Sequence, residues 1–192
     1  YGNAKGMTNF IEITLGTGVG SGIVVNGQMV YGHDGFAGEL GHTCAVRYNG
    51  RQCNCGKVGC LETYASAIGV ARTAREWLDM SDEPSTLRSL EVITSKDVYD
   101  AAIAGDSIAK KVFEFTGQKL GESFADFVAF STPEAIILFG GLAEAGDLIM
   151  KPIVEAMEAN LLSIWKGGKV KVLRSGLKDS DAAILGAGAL AW

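Results

Sequence analysis

The stretch GELGHTCAVRYNGRQCNCGKVGCLE, residues 38–62, contains all four cysteines of the chain and decides how the rest is interpreted. Its octapeptide CNCGKVGC, residues 53–60, carries three thiols, and its two glycines allow the backbone to curl so that the sulfurs converge. Because cytosolic thiols stay reduced, metal ligation is a better interpretation than a disulfide. Three thiols leave a tetrahedral ion one ligand short, and an imidazole on the preceding loop completes a set that suits zinc. The predicted ligands of this structural zinc are His42, Cys53, Cys55 and Cys60.

The fourth ligand has an alternative, because Cys44 also lies near the three thiols in the sequence. We favour His42, since an imidazole can bind a metal through one nitrogen while its other N–H donates to a ligand. Cys44 precedes two apolar residues, so we expect it to be a small buried residue. The alternative for the whole group is a set of redox-active or merely buried cysteines. We call residues 42–60 the cysteine loop.

Apolar runs and glycine turns predict the elements that precede this loop. FIEITL, residues 10–15, and GIVV, residues 22–25, are predicted strands around a glycine-rich turn. The dipeptide Asn26-Gly27 then predicts a second hairpin that leads into a strand over 28–31. Residues 32–59 show no periodicity, which predicts a long ordered loop that something must hold in place.

Helices and strands alternate after the cysteine loop. Helical spacing runs from Leu61 to Leu78, Ser95 is the expected N-cap of a helix over 96–104, and Asp106 is the expected N-cap of a longer helix that runs through Phe130. The remaining predictions are a buried strand over 135–139, a helix over 147–163, a strand over 170–173 and a helix over 181–191. This order predicts an α/β fold in which a mixed sheet carries helices on its faces.

The composition narrows the class of protein. The chain has 192 residues, 47% hydrophobic and 20% charged, with a formal net charge of -5 and no basic stripe, which disfavours nucleic-acid binding. No apolar run approaches the roughly 20 residues that cross a bilayer, and the first residues lack the pattern of a signal peptide, so we expect a cytoplasmic protein with no membrane partner. The chain does not begin with Met, and we therefore expect it to be part of a longer protein.

Several motifs together resemble one known family. They are LGTGVG (15–20), GELGH (38–42), CNCGKVGCLE (53–62), LFGG (138–141) and DAAILGA (181–187). This combination resembles the ROK family, which contains bacterial glucokinases, other hexose and N-acetylhexosamine kinases, and sugar-responsive repressors. The resemblance implies an actin-like, ribonuclease H-like ATPase fold of two lobes, with ATP and sugar meeting in the cleft between them.

The resemblance also indicates which part of such a protein this chain represents. The family's N-terminal lobe carries an Asp-x-Gly-Gly-Thr phosphate loop and an Asn-Asp pair whose Asp is the catalytic base, and neither motif occurs in this sequence. Residues 1–192 are therefore expected to form the C-terminal lobe of a sugar kinase, with a zinc-binding loop over 42–60 and with the N-terminal lobe absent. This lobe alone is expected to have no appreciable turnover.

Two glycine-rich turns are the candidate ATP site. In the turn Gly16-Thr17-Gly18, backbone N–H groups and a hydroxyl can face the phosphates of ATP, which binds with Mg2+. In the family this turn is the second phosphate loop, although a glycine-rich hairpin alone is also simply a tight turn. Gly140 and Gly141 follow a buried strand, where bare backbone can lie against a nucleotide as in the family's adenosine loop. Their alternative is an ordinary turn from a strand to a helix.

The sugar site is expected beside the cysteine loop. Glu39 and Glu62 flank it, and two carboxylates beside a metal-bound His42 suit the recognition of several sugar hydroxyls. In the family these positions bind the hexose. The alternatives are a solvated loop charge for Glu39 and a carboxylate that complements a helix dipole for Glu62. His33 lies outside the ligand spacing and is expected to be a surface or packing residue.

The predicted function is ATP-dependent phosphorylation of a hexose by the full-length protein, with glucose favoured because GELGH and its flanking loop look closest to the glucokinase branch. The alternatives are a kinase for an N-acetylhexosamine or fructose, or a ROK repressor in which the same fold binds a sugar to control DNA binding by an N-terminal helix-turn-helix. The intact glycine turns favour the kinase. A homodimer is expected, because family members commonly dimerise through this lobe.

Overall fold

The computed structural model describes residues 2–177, in which helices and strands pack into one α/β unit. The strands are β1 (Phe10–Leu15), β2 (Val19–Val25), β3 (Gln28–Met29), β4 (Ala135–Phe139) and β5 (Lys171–Arg174). The helices are α1 (Glu62–Ala65), α2 (Ala67–Met80), α3 (Ser95–Ile103), α4 (Ser107–Ser131) and α5 (Asp147–Asn160). The helix predicted over 181–191 lies outside the described residues.

The five strands form one mixed sheet in the order β3-β2-β1-β4-β5. β1, β2 and β3 pair antiparallel, as the two hairpins predicted, whereas β4 runs parallel to both β1 and β5. β1 alternates half-buried and buried residues, and β4 is buried at four of its five positions, as expected of an apolar strand covered on both faces. The predicted α/β class with a mixed sheet is therefore confirmed.

The hairpin strands differ in length from the prediction. β2 begins at Val19 rather than at residue 22, because the turn needs only three residues: the Gly16 N–H donates to the Gly18 carbonyl at 3.0 Å, and Val19 already pairs with Leu15. β3 ends at Met29 rather than at residue 31, and the chain then turns away from the sheet at Gly32, whose φ of 74° is a left-handed conformation.

The helix predicted from Leu61 to Leu78 is two helices. Ser66 between them adopts an extended conformation, and its hydroxyl accepts the Gly69 N–H at 3.1 Å, which makes it the N-cap of α2. The N–H of Ala67 donates to the Gly16 carbonyl at 2.8 Å, so the start of α2 is fixed against the turn between β1 and β2.

Two helix starts test the predicted caps. Asp106 caps α4 as predicted, accepting the Ala109 N–H at 3.1 Å. The prediction that Ser95 caps α3 was wrong by one residue, because Thr94 and Asp97 form a reciprocal capping box in which each side chain accepts the other's backbone N–H.

α5 ends at Asn160 rather than at residue 163. No helix within residues 2–177 is long and apolar enough to cross a membrane.

Candidate functional site

The four predicted metal ligands come together at one point. One ligand atom from each of His42, Cys53, Cys55 and Cys60 lies within 4.8 Å of all the others. The sulfurs of Cys55 and Cys60 are 3.6 Å apart, and Nδ1 of His42 is 3.7 Å from the sulfur of Cys53. A tetrahedral zinc with bonds of about 2.3 Å to sulfur spaces its sulfurs about 3.8 Å apart. Both the donor set and these separations therefore fit a closed zinc site.

The environment of the thiols changes the pKa values of Cys55 and Cys60. Burial, followed by the neighbouring thiols, raises the pKa of Cys60 to about 12. The backbone bond from Lys57 is the main cause that lowers the pKa of the exposed Cys55 thiol. Three sulfurs at this separation do not ionise together unless a cation offsets their charge, which is what a divalent metal supplies.

Short backbone bonds fold the cysteine loop back on itself. The Cys53 N–H donates to the Lys57 carbonyl at 2.9 Å, and the Gly59 N–H donates to the Arg51 carbonyl at 2.8 Å. Gly56 and Gly59 have φ of 90° and 82°, so the curl that the sequence predicted at these two glycines is present. At Gly59 a side chain would also collide with the carbonyl of Val46.

Cys44 behaves differently from the prediction. We expected a small buried residue, but its side chain is exposed, whereas that of Cys60, with which its backbone pairs, is buried. It is not a member of the ligand group found among the described residues. The geometry thus brings His42, and not Cys44, together with the three thiols.

His42 and Glu39 lie on the outer side of the group. The Nε2 atom of His42, which points away from the thiols, is 3.8 Å from the Glu39 carboxylate, and the Glu39 side chain is 66% exposed. One imidazole nitrogen therefore faces the thiols while the other faces a carboxylate and solvent. His33 is exposed and lies outside this arrangement.

Glu62 lies on the inner side, at the start of α1. Its Oε2 atom accepts the Val19 N–H at 3.0 Å, and its Oε1 atom is 3.9 Å from the sulfur of Cys53. A Cβ on Gly18 would meet the Oε2 atom of the same carboxylate, so the turn passes close to the end of the Glu62 side chain. Glu62 thus contacts both the turn after β1 and the cysteine loop.

A cavity of about 340 Å³ opens beside Glu62. Its lining includes Thr17, Gly18, Cys53, Glu62 and Arg72. In the part of the chain that the structure describes, Glu39 and His42 do not line it. Of the three predicted sugar ligands, the geometry therefore brings Glu62 to the cavity and leaves the other two at the exposed outer edge of the cysteine loop.

A second cavity, of about 530 Å³, begins at the same turn and runs between α2 and the start of α3. A third, of about 270 Å³, shares Ser95 with it and reaches Gly141. Thr17, Ile68 and Arg72 line both of the first two cavities, so these three residues form the rim that the two share. Together the cavities trace a path from Glu62, past Thr17, to Gly141.

The two glycine-rich turns lie next to each other because β1 and β4 are parallel neighbours that end at the same edge of the sheet. Gly140 has a φ of 96°, and a Cβ there would lie 2.6 Å from the Leu15 carbonyl oxygen. Gly141 faces open space and lines the third cavity. Among the described residues, the N–H groups of Thr17 and Gly18 donate no hydrogen bond, so both remain available to a ligand.

Arg51 is a buried residue that our sequence analysis missed. Its guanidinium donates to the Thr63 carbonyl at 2.7 Å, to the Thr73 hydroxyl at 2.8 Å and to the Glu76 carboxylate at 2.6 Å, and it lies 4.5 Å from the ring centroid of Tyr64. These contacts tie the cysteine loop to α1 and α2. No local pattern distinguishes this arginine from an exposed one, since its partners all lie on later elements.

The sequence and the fold match known proteins along almost the whole chain. A glucokinase from Halalkalibacterium halodurans is 40% identical over 191 residues, which is 97% of this chain and 57% of that protein. The crystal structure of a ROK family glucokinase from Streptomyces griseus in complex with glucose and AMPPNP has a TM-score of 0.86 at 32% identity, covering 97% of this chain and 61% of that one. The DNA-binding transcriptional dual regulator NagC from Escherichia coli is 30% identical over 182 residues, 95% of this chain and 44% of that protein.

The chain spans less than two thirds of the length of each of these relatives. The sequence profile of the ROK family matches residues 1–192. The chain therefore belongs to the ROK family, and its mixed sheet with flanking helices is the actin-like ATPase fold of that family's sugar kinases.

Proposed function

We propose that the full-length protein phosphorylates a hexose with ATP, and that glucose is the preferred hexose. The observation that carries the proposal is the rim at Thr17, where a cavity beside Glu62 meets a groove that leads to Gly141. A sugar in the first cavity and a nucleotide in the groove would meet at that rim. The similarity to the glucokinases of Halalkalibacterium halodurans and Streptomyces griseus supports the choice of glucose.

The nucleotide is proposed to bind at the two glycine-rich turns. The free N–H groups of Thr17 and Gly18, together with the Thr17 hydroxyl and the flanking Gly16, would receive the phosphates of ATP with its Mg2+. Gly140 and Gly141 would receive the adenosine, since Gly141 presents bare backbone to a cavity. Tight approach to backbone of this kind is how glycine loops commonly bind nucleotides.

The sugar is proposed to bind between the turn after β1 and the cysteine loop. Glu62 would accept hydrogen bonds from sugar hydroxyls in the cavity, and Glu39 would accept from the outer edge of the loop. The free N–H of a zinc-bound His42 would donate to a sugar hydroxyl from the same edge. Glu39 and His42 are solvent-facing in the described residues, so they would complete the site only when a sugar or the opposite lobe covers them.

The zinc is proposed to be structural, held by His42, Cys53, Cys55 and Cys60. It would supply rigidity to the cysteine loop, which is otherwise largely exposed, and thereby set the positions of the carboxylates that flank it. The ion would take no part in the transfer itself.

In the proposed reaction, the oxygen of a sugar hydroxyl attacks the γ-phosphorus of ATP and the bond from that phosphorus to the β–γ bridging oxygen breaks. ADP leaves with the bond's electron pair, and the hydroxyl proton passes to a carboxylate base. We propose that this base belongs to an N-terminal lobe and that residues 1–192 form the C-terminal lobe. Residues 1–192 alone would then bind ligands without turnover.

A coupled ATP-consumption assay of the full-length protein, run across a panel of hexoses, tests the proposal. Glucose is expected to give the highest kcat/KM, ahead of N-acetylglucosamine, N-acetylmannosamine and fructose. A higher kcat/KM for one of those sugars would replace glucose with a neighbouring kinase specificity. No ATP consumption with any hexose would refute the kinase proposal.

A sugar-responsive repressor is the second candidate, and the similarity to NagC favours it. A repressor does not need an ATP site, however, and the free amides at Thr17 and Gly18 and the open face of Gly141 support retention of one. Binding of sugar and of operator DNA without binding of AMPPNP would identify a repressor. A homodimer is compatible with both candidates, and light scattering of the full-length protein would test it.

A further inference from the structure

Arg72 lies where the two candidate substrates would meet. It is one of the three residues on the rim that the 340 Å³ and 530 Å³ cavities share, together with Thr17 and Ile68. Thr17 is uncharged and Ile68 is apolar, so Arg72 is the one ionised side chain on this rim. A phosphoryl group transferred between ligands in the two cavities would pass close to Arg72.

The guanidinium of Arg72 is held in position by one hydrogen bond and keeps donors for a ligand. Its Nε–H donates to the Glu76 carboxylate at 2.8 Å, and among the described residues its two terminal nitrogens donate to nothing. Its side chain is 45% exposed. Arg75, the other arginine of the larger cavity, instead donates to the carbonyls of Leu90 and Glu91, so its terminal nitrogens are partly occupied.

Arg51 prevents Glu76 from cancelling the charge of Arg72. The Glu76 carboxylate accepts from Arg51 through one oxygen and from Arg72 through the other, so two cations and one anion leave one positive charge. Burial raises the pKa of Glu76, but the hydrogen bonds from the two arginines outweigh burial and hold it below its ordinary value. Arg51 is buried and lines neither cavity, so Arg72 is the cation of this trio that faces the cavities.

We propose that Arg72 is a phosphate-binding residue that contacts the phosphoryl group of ATP at the shared rim. This inference rests on the proposed ATP-dependent kinase function. A planar guanidinium with two free N–H groups matches a phosphoryl group, whose equatorial oxygens carry the charge during transfer. Arg72 neutralises that charge and exchanges no proton.

The test compares Arg72→Gln and Arg72→Lys with wild type in the full-length protein. Gln keeps a donor for Glu76 but removes the charge, whereas Lys keeps the charge without the planar fork. Lys151→Gln is the matched control, because Lys151 also pairs with a carboxylate four residues away on an exposed helix face but lines neither of these cavities. Steady-state kinetics and calorimetric binding of AMPPNP and of adenosine are the readouts.

Arg72→Gln is expected to lower kcat/KM for ATP by on the order of 100-fold, as loss of one charge-stabilising donor does. In Arg72→Gln the KM for glucose and the affinity for adenosine should stay unchanged. Arg72→Lys should recover part of the loss in kcat/KM, and Lys151→Gln should match wild type. An unchanged kcat/KM for ATP in Arg72→Gln would overturn the inference. A loss of adenosine affinity as large as the loss of AMPPNP affinity would also overturn it, because that result indicates a disturbed α2. Failure of wild type to bind AMPPNP would refute the proposed function itself, and that outcome is recognised without any variant.

Discussion

The cysteine loop and the layer formed by β4 and α4 are stabilised by different forces. β4 is almost wholly buried, and α4 contributes Phe113 and Phe124, both with no exposed surface. The buried apolar side chains of the cysteine loop are only Cys53 and Cys60. A segment with so little apolar burial opens easily unless specific contacts hold it. The core of this chain is therefore stabilised by apolar burial, whereas the proposed sugar site would depend on the proposed zinc and on Arg51.

The largest expected effect comes from a substitution that disrupts the cysteine loop and leaves the core intact. Cys60→Ser removes a buried thiol of the proposed ligand set, and the free energy of zinc binding at structural sites is on the order of 10 kcal/mol. We expect the zinc content of the full-length protein to fall from one equivalent to near zero and its glucose affinity to fall with it. Far-UV circular dichroism should change little.

Cys44→Ser is the matched control for this variant. Cys44 is exposed and lies outside the ligand group, so its replacement should leave one equivalent of zinc in place. Loss of zinc in Cys44→Ser with retention in Cys60→Ser would mean that the ligand set is wrong. Metal analysis of both proteins, purified without added zinc, gives the answer.

The second prediction concerns a substitution that destabilises the core and leaves the cysteine loop intact. Phe124→Ala leaves a large cavity in α4 and should lower the free energy of unfolding by about 3–5 kcal/mol. Phe130 lies on the same helix with 90% of its surface exposed, so Phe130→Ala should change the stability little. Denaturant titration measures both. Zinc content should stay at one equivalent in each, and loss of zinc in Phe124→Ala would show that the two regions are not separable.

The third prediction concerns the contact between the two regions. Arg51→Met removes the charged hydrogen bonds that join the cysteine loop to α1 and α2, and it should lower the free energy of unfolding by about 2–3 kcal/mol. Because Thr63, an acceptor of Arg51, follows Glu62 directly, the KM for glucose should also rise. Arg47→Met, at an exposed position of the same loop, is the control. Equal behaviour of the two variants would contradict the role given to Arg51.

The core was largely predictable from sequence, and the loop only in part. The apolar run FIEITL beside a glycine-rich turn identified β1, and the unbroken apolar run in AIILF identified β4. The grouping of His42 with three thiols was predicted from residue type and spacing, and the structure brings these four side chains together. The partners of Arg51 and the rim shared by Thr17 and Arg72 depend on elements far apart in the chain, which no local pattern encodes.

The fourth prediction separates the two carboxylates that flank the loop. Glu39→Gln and Glu62→Gln in the full-length protein should each raise the KM for glucose by on the order of 10-fold, as expected when a charge-assisted hydrogen bond becomes neutral. Each should raise the KM for ATP much less. Glu62→Gln should affect ATP more than Glu39→Gln does, because Glu62 also accepts from the turn that carries Thr17. A larger effect on ATP than on glucose in both variants would refute the sugar assignment.

The smallest prediction lies in the helical layer and tests the corrected cap of α3. Thr94→Ala removes both the hydroxyl that accepts the Asp97 N–H and its bond to the Asp97 carboxylate, and should cost about 1 kcal/mol. Ser95→Ala should lower the free energy of unfolding by only about a few tenths of a kcal/mol, since Ser95 is the first helical residue and not the cap. Thermal unfolding of the two variants decides between them, and a larger loss in Ser95→Ala would restore the original prediction.

The most direct test of the dependence of the sugar site on zinc is a metal titration of the full-length protein. Zinc is removed with a chelator and added back in steps while glucose and AMPPNP affinities are measured by calorimetry on the same samples. Glucose affinity is predicted to rise in proportion to bound zinc and to saturate at one equivalent, with AMPPNP affinity nearly constant. Glucose affinity that is the same with and without zinc would contradict the account.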